Sequence, residues 1–279
     1  MCVRHPGRVA SVVCAHCDRP ICTDCMVQAS VGWQCPDCTA AGAKKTKVIR
    51  PFAASNRTGV VGSTNPTPVV IALVVACVVV FVASGFGKAS VIDRFGGLSH
   101  QVRASHEYYR LVTSMFLHLS LFHIISNMFT LLIVGPAVEV MLGKSRFLAL
   151  YLIAGLAGSV SSYLFSPANS VGAGASGAIF GVMGAYVVLA HKRRQPLAIV
   201  AVLIAVNLVI GFTGGIDWRD HLGGLVFGIV LAAAYDVAAN RRQVAQQVAL
   251  TIGSSVAVLA VLAILVVAYP PGHTVLPFN

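Results

Sequence analysis

Seven apolar runs, at about 69–86, 113–137, 146–165, 173–190, 196–213, 218–238 and 249–268, constrain this chain more than any other feature. A helix needs about 20 mostly apolar residues to cross a hydrocarbon core of about 30 Å. Inside lipid the backbone has to satisfy its hydrogen bonds within its own segment, so runs of this kind are helices. Of 279 residues, 57% are hydrophobic and 10% are charged, where a soluble chain carries about 25% charged residues. An ordinary soluble enzyme and a disordered chain are both excluded. The expected fold class is an all-α polytopic membrane protein with a small N-terminal zinc-binding domain.

That domain is read from cysteine spacing. Seven of eight cysteines fall between Cys2 and Cys38, and Cys77 stands alone in an apolar run. Cys2/His5, Cys14/Cys17, Cys22/Cys25 and Cys35/Cys38 each leave two residues between ligands, which lets both reach one tetrahedral ion. Eight ligands make two closed zinc sites, structural rather than catalytic. A segment of about 40 residues with few large apolar side chains cannot fold alone, and metal supplies the missing stability. Disulfides are the alternative, but seven is an odd number and the spacing to His5 would go unexplained. Reduced thiolates imply the cytosol. His16, between Cys14 and Cys17, is expected to be an exposed bystander. The series C-x2-H-x8-C-x2-C-x4-C-x2-C-x9-C-x2-C resembles the B-box zinc finger. The resemblance implies a cross-braced pair of ions, one held by Cys2, His5, Cys22 and Cys25, the other by Cys14, Cys17, Cys35 and Cys38. It also implies a cytosolic protein partner. Arg4, Arg8 and Arg19 are scattered and Trp33 is the only aromatic of the head, so no nucleic-acid partner is expected.

From Thr39 to Pro68 the chain is rich in Ala, Gly, Ser, Thr and Pro, with Lys44, Lys45, Lys47 and Arg50. This reads as a flexible basic linker able to lie on anionic lipid. No cleavable signal peptide is expected, because the first apolar run starts near Val69. The expected boundaries are 1–42 for the zinc domain, 43–68 for the linker, 69–238 for a six-helix core, and 239–279 for a seventh transmembrane helix and tail. With the head in the cytosol, fifteen Lys and Arg lie on its side and five on the other. That asymmetry predicts a cytosolic N-terminus and an external C-terminus; the plasma membrane is the expected location.

Polar residues inside spans are costly and are functional candidates. His123 and Asn127 in the second run, Ser176 in the fourth and His221 in the sixth stand out. Counted from the cytosolic charges at about 1.5 Å per residue, all four fall in the outer part of the membrane. Ser needs a general base, and His221 can serve. His123 and Asn127 are four residues apart and share a helix face. Ser176 follows Val171-Gly-Ala-Gly-Ala at a helix start, where its backbone N–H is free to donate to an oxyanion. Gly174, Gly177 and Gly181 in one run, with Gly224 and Gly228 in another, let two helices approach closely. Asp220 beside His221 points about 100° away on a helix, so it is assigned to the external interface, with Arg219 as partner.

From Glu107 to about Asp236 the chain resembles the rhomboid intramembrane serine proteases. The matching pieces are Glu107-Tyr-Tyr-Arg110, Phe116-Leu-His118 with His123 and Asn127, Gly135-Pro-Ala-Val-Glu139, Gly174-Ala-Ser-Gly177 and His221-Leu-Gly-Gly-Leu-Val-Phe-Gly228. The resemblance implies a six-helix core followed here by a seventh helix. It implies a Ser–His dyad, with Ser176 as nucleophile and His221 as general base. It also implies that His123 and Asn127 assist the oxyanion, that His118 supports them, and that Tyr109 and Arg110 belong to a first-loop motif. The substrates implied are membrane proteins cut in or near a transmembrane segment, with no cofactor for the chemistry. Two other readings stay open: an inactive rhomboid-like protein that binds membrane clients, and a transporter, although no acidic residue lies in mid-span. His100, His106, His191 and His273 read as ordinary surface residues, and Thr251, Ser254 and Ser255 of the seventh run as packing.

Overall fold

The computed structural model describes residues 1–29, 32–45, 67–98, 105–167, 170–213, 217–241 and 243–268. Lys47, Arg50, His100 and His273, most of the expected linker and the C-terminal tail lie outside the described residues. The chain divides into two units, Met1–Arg57 and Thr58–Asn279.

In the first unit, β1 (Val12–Val13) pairs antiparallel with β2 (Pro20–Ile21), and β3 (Val27–Gln28) with β4 (Trp33–Gln34). Its buried cluster holds five cysteines and a single isoleucine, Ile21. That is too little apolar surface to hold a fold by burial alone. A helix, α1 (Pro36–Lys45), follows. Residues 39–45, expected in the linker, continue this helix, in keeping with the high helix propensity of Ala40, Ala41 and Ala43.

The second unit is an all-α polytopic membrane protein. In chain order it contains α2 (Pro68–Ala83), α3 (Ala89–Phe95), β5 (Gly97–Leu98), α4 (Arg110–Thr113), α5 (Leu121–Leu142), α6 (Lys144–Phe165), β6 (Val171–Gly172), α7 (Ser176–Lys192), α8 (Ala198–Thr213), α9 (Trp218–Ala239) and α10 (Val244–Ala268). Four of these helices, α5, α6, α9 and α10, are long and apolar enough to cross a membrane, and α2, α7 and α8 are shorter apolar helices. At 17 residues, α7 spans only about 26 Å. Phe122, Ile125 and Phe129 on α5 point outward and exposed, as a lipid-facing surface allows because acyl chains are as apolar as leucine.

The second run does not form one helix from residue 113. A 3-10 turn, Ser114–Phe116, and an extended segment come first, and Ser120 caps α5 by accepting a hydrogen bond from His123 N. Serine at this position satisfies an otherwise unpaired N–H and fixes the helix start. His118 therefore precedes α5.

Two pairings fix the frame. Glu139, buried in α5, accepts hydrogen bonds from Val69 N and Val70 N at 3.2 and 2.9 Å. The acid satisfies the open N–H groups at the start of α2 and sits at the positive end of that helix. Between α7 and α9 the glycines interlock. A Cβ on Gly224 would meet Gly177 O at 2.0 Å, and one on Gly228 would meet Gly181 O at 2.3 Å. The backbones are in direct contact, which only glycine permits.

Candidate active site

The first loop, between α2 and α4, is built around Arg110. This guanidinium is buried; it pairs with Glu107 and donates to Asp93 O at 2.7 Å and Gly96 O at 3.0 Å. The hydrogen bond from Arg110 holds the Glu107 carboxyl below the usual carboxylate range. Tyr109 Oη donates to Arg94 O at 3.2 Å. So pinned, the loop presents β5, and β5 pairs antiparallel with β6, Gly97 opposite Gly172. Gly174 N then donates to Ser114 O at 2.9 Å. These bonds place the segment that delivers Ser176 to the first position of α7.

Gly174 has a φ of +137°. A Cβ there would lie 2.8 Å from Cε1 and Nε2 of His123. The backbone conformation and the close approach of the imidazole both require glycine.

Ser176 and His123 line a cavity of about 290 Å³, together with Ser114, Ser162, Asp217 and Asp220. No Lys or Arg lines it among the described residues. Asp217 caps α9, accepting from Arg219 N at 3.1 Å, from Ser166 Oγ at 2.9 Å and from Ser162 Oγ.

His221 is buried on α9. Its ring stacks on Phe180 with centroids 4.2 Å apart and planes at 13°. Phe180 is one turn after Ser176 on α7, so both lie on one helix face. His221 is thereby held against the face of α7 that carries the serine. Neither of its ring nitrogens has a hydrogen-bond partner among the described residues. The Ser176 hydroxyl instead donates to Asp220 Oδ2 at 3.4 Å.

Asp220, expected at the external interface, faces inward. A Cβ on Gly158 would lie 2.6 Å from its Oδ1, and one on Gly177 would lie 2.6 Å from its Oδ2. The two glycines leave the space into which the carboxylate turns. Its expected partner, Arg219, lies over the Trp218 ring at 4.8 Å.

His118 is fully buried, with its ring 5.2 Å from that of His123 and both nitrogens unpartnered among the described residues. Asn127 is buried one turn after His123, and its Nδ2 donates to His123 O at 2.8 Å. His106 and His191 are exposed. Thr251 accepts from Arg146 Nε at 3.0 Å, and Ser255 meets Tyr235 Oη at 2.6 Å, which fastens α10 to α6 and α9.

In the first unit, Cys2, His5, Cys22 and Cys25 form one cluster and Cys14, Cys17, Cys35 and Cys38 another, the grouping that the resemblance to the B-box finger implies. His5 Nδ1 lies 3.4 Å from both Cys22 Sγ and Cys25 Sγ. Cys2 Sγ is 3.9 Å from Cys25 Sγ, and Cys17 Sγ is 3.8 Å from Cys35 Sγ. A tetrahedral ion with metal–sulfur bonds of about 2.3 Å sets its sulfurs about 3.8 Å apart. A disulfide needs about 2.05 Å, and the cysteines are free. Hydrogen bonding to Cys17 and Cys35 pushes the Cys38 thiol up to about 12. Thiols this crowded cannot all ionise unless a cation joins them, which is what a metal supplies. Both clusters fit a metal ion by distance and by donor chemistry. His16 is exposed.

Ser176 thus stands at the start of a short helix, on the wall of a cavity in a multi-helix membrane protein. The Rhomboid domain matches residues 105–237, from just before α4 almost to the end of α9. The chain is 42% identical over 156 residues to the rhomboid protease GluP of Bacillus subtilis, covering 54% of this chain and 30% of GluP. It is 34% identical over 135 residues to YdcA of the same organism, covering 46% of this chain and 68% of YdcA. It is also 34% identical over 150 residues to the inactive RHOMBOID-like protein 8 of Arabidopsis thaliana, covering 50% of this chain and 42% of that protein. The chain thus spans less than half the length of GluP and of the Arabidopsis relative. It belongs to the rhomboid family, an intramembrane protease family that includes serine hydrolases.

Proposed function

We propose that the chain is an intramembrane serine endopeptidase that cuts other membrane proteins in or near a transmembrane segment. The observation that carries this reading is the position of Ser176. It stands at the first residue of α7, on the wall of a cavity that His123 and Asp217 also line, on the helix face against which His221 is packed. In the reaction the Ser176 hydroxyl turns to His221 and gives up its proton as Oγ attacks the scissile carbonyl carbon. His221 then hands that proton to the leaving amine, and a water molecule hydrolyses the acyl-enzyme with His221 again as base. The Ser176 N–H at the helix start, with His123 and Asn127, stabilises the oxyanion. For Asn127 this requires its amide to leave His123 O. His118 backs the His123 ring. The N-terminus is cytosolic, the C-terminus is external, and the cut lies near the outer face of the plasma membrane.

The two Cys/His clusters hold zinc as structural ions in a B-box-like module at 1–42, which binds a cytosolic protein. The linker at 43–68 joins it to the six-helix core at 69–238, with the seventh helix and tail at 239–279.

A second reading is an inactive rhomboid-like protein that holds membrane clients. It is favoured by the unpartnered nitrogens of His221 and by the similarity to an inactive relative. A fluorophosphonate probe separates the two. Labelling at Ser176 that disappears in Ser176→Ala and falls strongly in His221→Ala supports the peptidase. A Ser176 that no probe labels in the folded wild type supports the client binder.

A further inference from the structure

The contact between Ser176 and Asp220 has no part in the dyad scheme. We propose that Asp220 is a positioning residue that parks the Ser176 hydroxyl in a resting orientation, from which substrate engagement releases it to His221. This rests on the serine-peptidase reading above.

The carboxylate occupies a prepared socket. Its two oxygens fill the places where Cβ atoms of Gly158 and Gly177 would stand, on two different helices. Among the described residues no Lys, Arg or His lies within ion-pair distance of it; the ion pairs of this unit are Arg110 with Glu107 and Lys192 and Arg193 with Asp236. A carboxylate at this depth without a cation is expensive, and such residues are retained for a role. The favourable feature nearby is the positive end of α7, at which Gly177 is the second residue.

Two effects follow, with the same sign. The hydrogen bond from Ser176 Oγ to Asp220 exists only while the hydroxyl keeps its proton for the carboxylate. It stabilises the ground state and is absent when the proton has passed to His221, so it adds to the barrier. The side chain also stands at the start of α7, where a developing oxyanion needs the open N–H groups. A serine bonded to Asp220 and an imidazole with no hydrogen-bond partner among the described residues are the two halves of this resting arrangement.

The test uses the full chain in detergent, as wild type, Asp220→Asn and Asp220→Ala. Asn keeps the shape of the side chain and removes its charge; Ala removes the acceptor. Thermal melting confirms that each variant is folded, and Asp220→Leu, which fills the socket and cannot accept a hydrogen bond, carries the test if Ala does not fold. The labelling rate of Ser176 by a fluorophosphonate and the kcat and KM for a single-span peptide are then measured. Loss of one ground-state hydrogen bond predicts a roughly three- to tenfold rise in labelling rate and kcat. KM stays unchanged, a split that a purely structural role would not produce. Rates at or below wild type in folded variants would mean that the carboxylate supports the His221 imidazolium, and would overturn the proposal. A crystal structure of the variant gives a readout independent of turnover. The expected result is Ser176 Oγ within hydrogen-bond distance of a His221 ring nitrogen, and an Oγ that has not moved overturns the proposal. A wild type that cannot be labelled would defeat the peptidase reading, while the variant structure would still decide the role of Asp220.

Discussion

Gly174 shows how narrowly single residues set this site. It combines a φ of +137° with a His123 ring where any side chain would begin. Gly174→Ala is expected to cost about 1–3 kcal/mol in strain and to displace His123. Peptidase activity should fall at least roughly tenfold, while Gly253→Ala, where a Cβ meets nothing within 4 Å, keeps activity. Titration of activity against melting temperature checks both. Ser176, His123 and His221 are visible in the sequence because polar groups in apolar runs are conspicuous. Asp220 was misplaced because angular spacing on one helix says nothing about holes in its neighbours. Its socket is made by Gly158 on α6 and Gly177 on α7, far apart in sequence from it. Asp217 left a signal that was not used: an aspartate just before an apolar helical run is an N-cap pattern.

At the scale of elements, the closest packing is the α7–α9 contact. Gly224→Val places a side chain against Gly177 O, at the residue after Ser176. Overpacking of this kind costs about 1–3 kcal/mol or more, and here it pushes the serine helix away from the histidine helix. Loss of activity well before loss of fold is the expected outcome, measured by cleavage and melting in parallel. The first loop depends on Arg110. Arg110→Ala leaves the carbonyls of Asp93 and Gly96 without their donor and is expected to destabilise by about 2–4 kcal/mol. The Glu107 carboxyl is held below its ordinary value by Arg110. Its contribution is therefore complete above the unfolded value of about 4.3 and is lost as pH falls through the lower folded value. Melting temperatures measured from pH 6 to pH 3 should show this loss in wild type and not in Glu107→Gln. The helices were legible as apolar runs. The break at 114–120 was not, because Met115, Phe116 and Leu117 are as apolar as the helix that follows, and only Ser120 marks its start. The β5–β6 pair, two residues from each strand, is too short to leave a periodic pattern.

For the whole molecule, the proposed function puts two structural ions in the N-terminal unit and gives the membrane core a chemistry without metal. Full-length protein is expected to carry two zinc ions per chain by elemental analysis. Chelation should unfold residues 1–42 and leave cleavage by the detergent-purified core intact; a proportional loss of cleavage with zinc would tie the head to catalysis. The eight candidate ligands are legible because two-residue spacings survive folding, whereas their division into two clusters follows from the resemblance to the B-box finger and not from spacing alone. The most direct measurement is proteolysis of a small panel of single-span membrane proteins, reconstituted in lipid with wild type or Ser176→Ala. The account predicts cuts in or near the spanning segment by wild type and none by the variant. Cleavage by Ser176→Ala at the wild-type rate would contradict it.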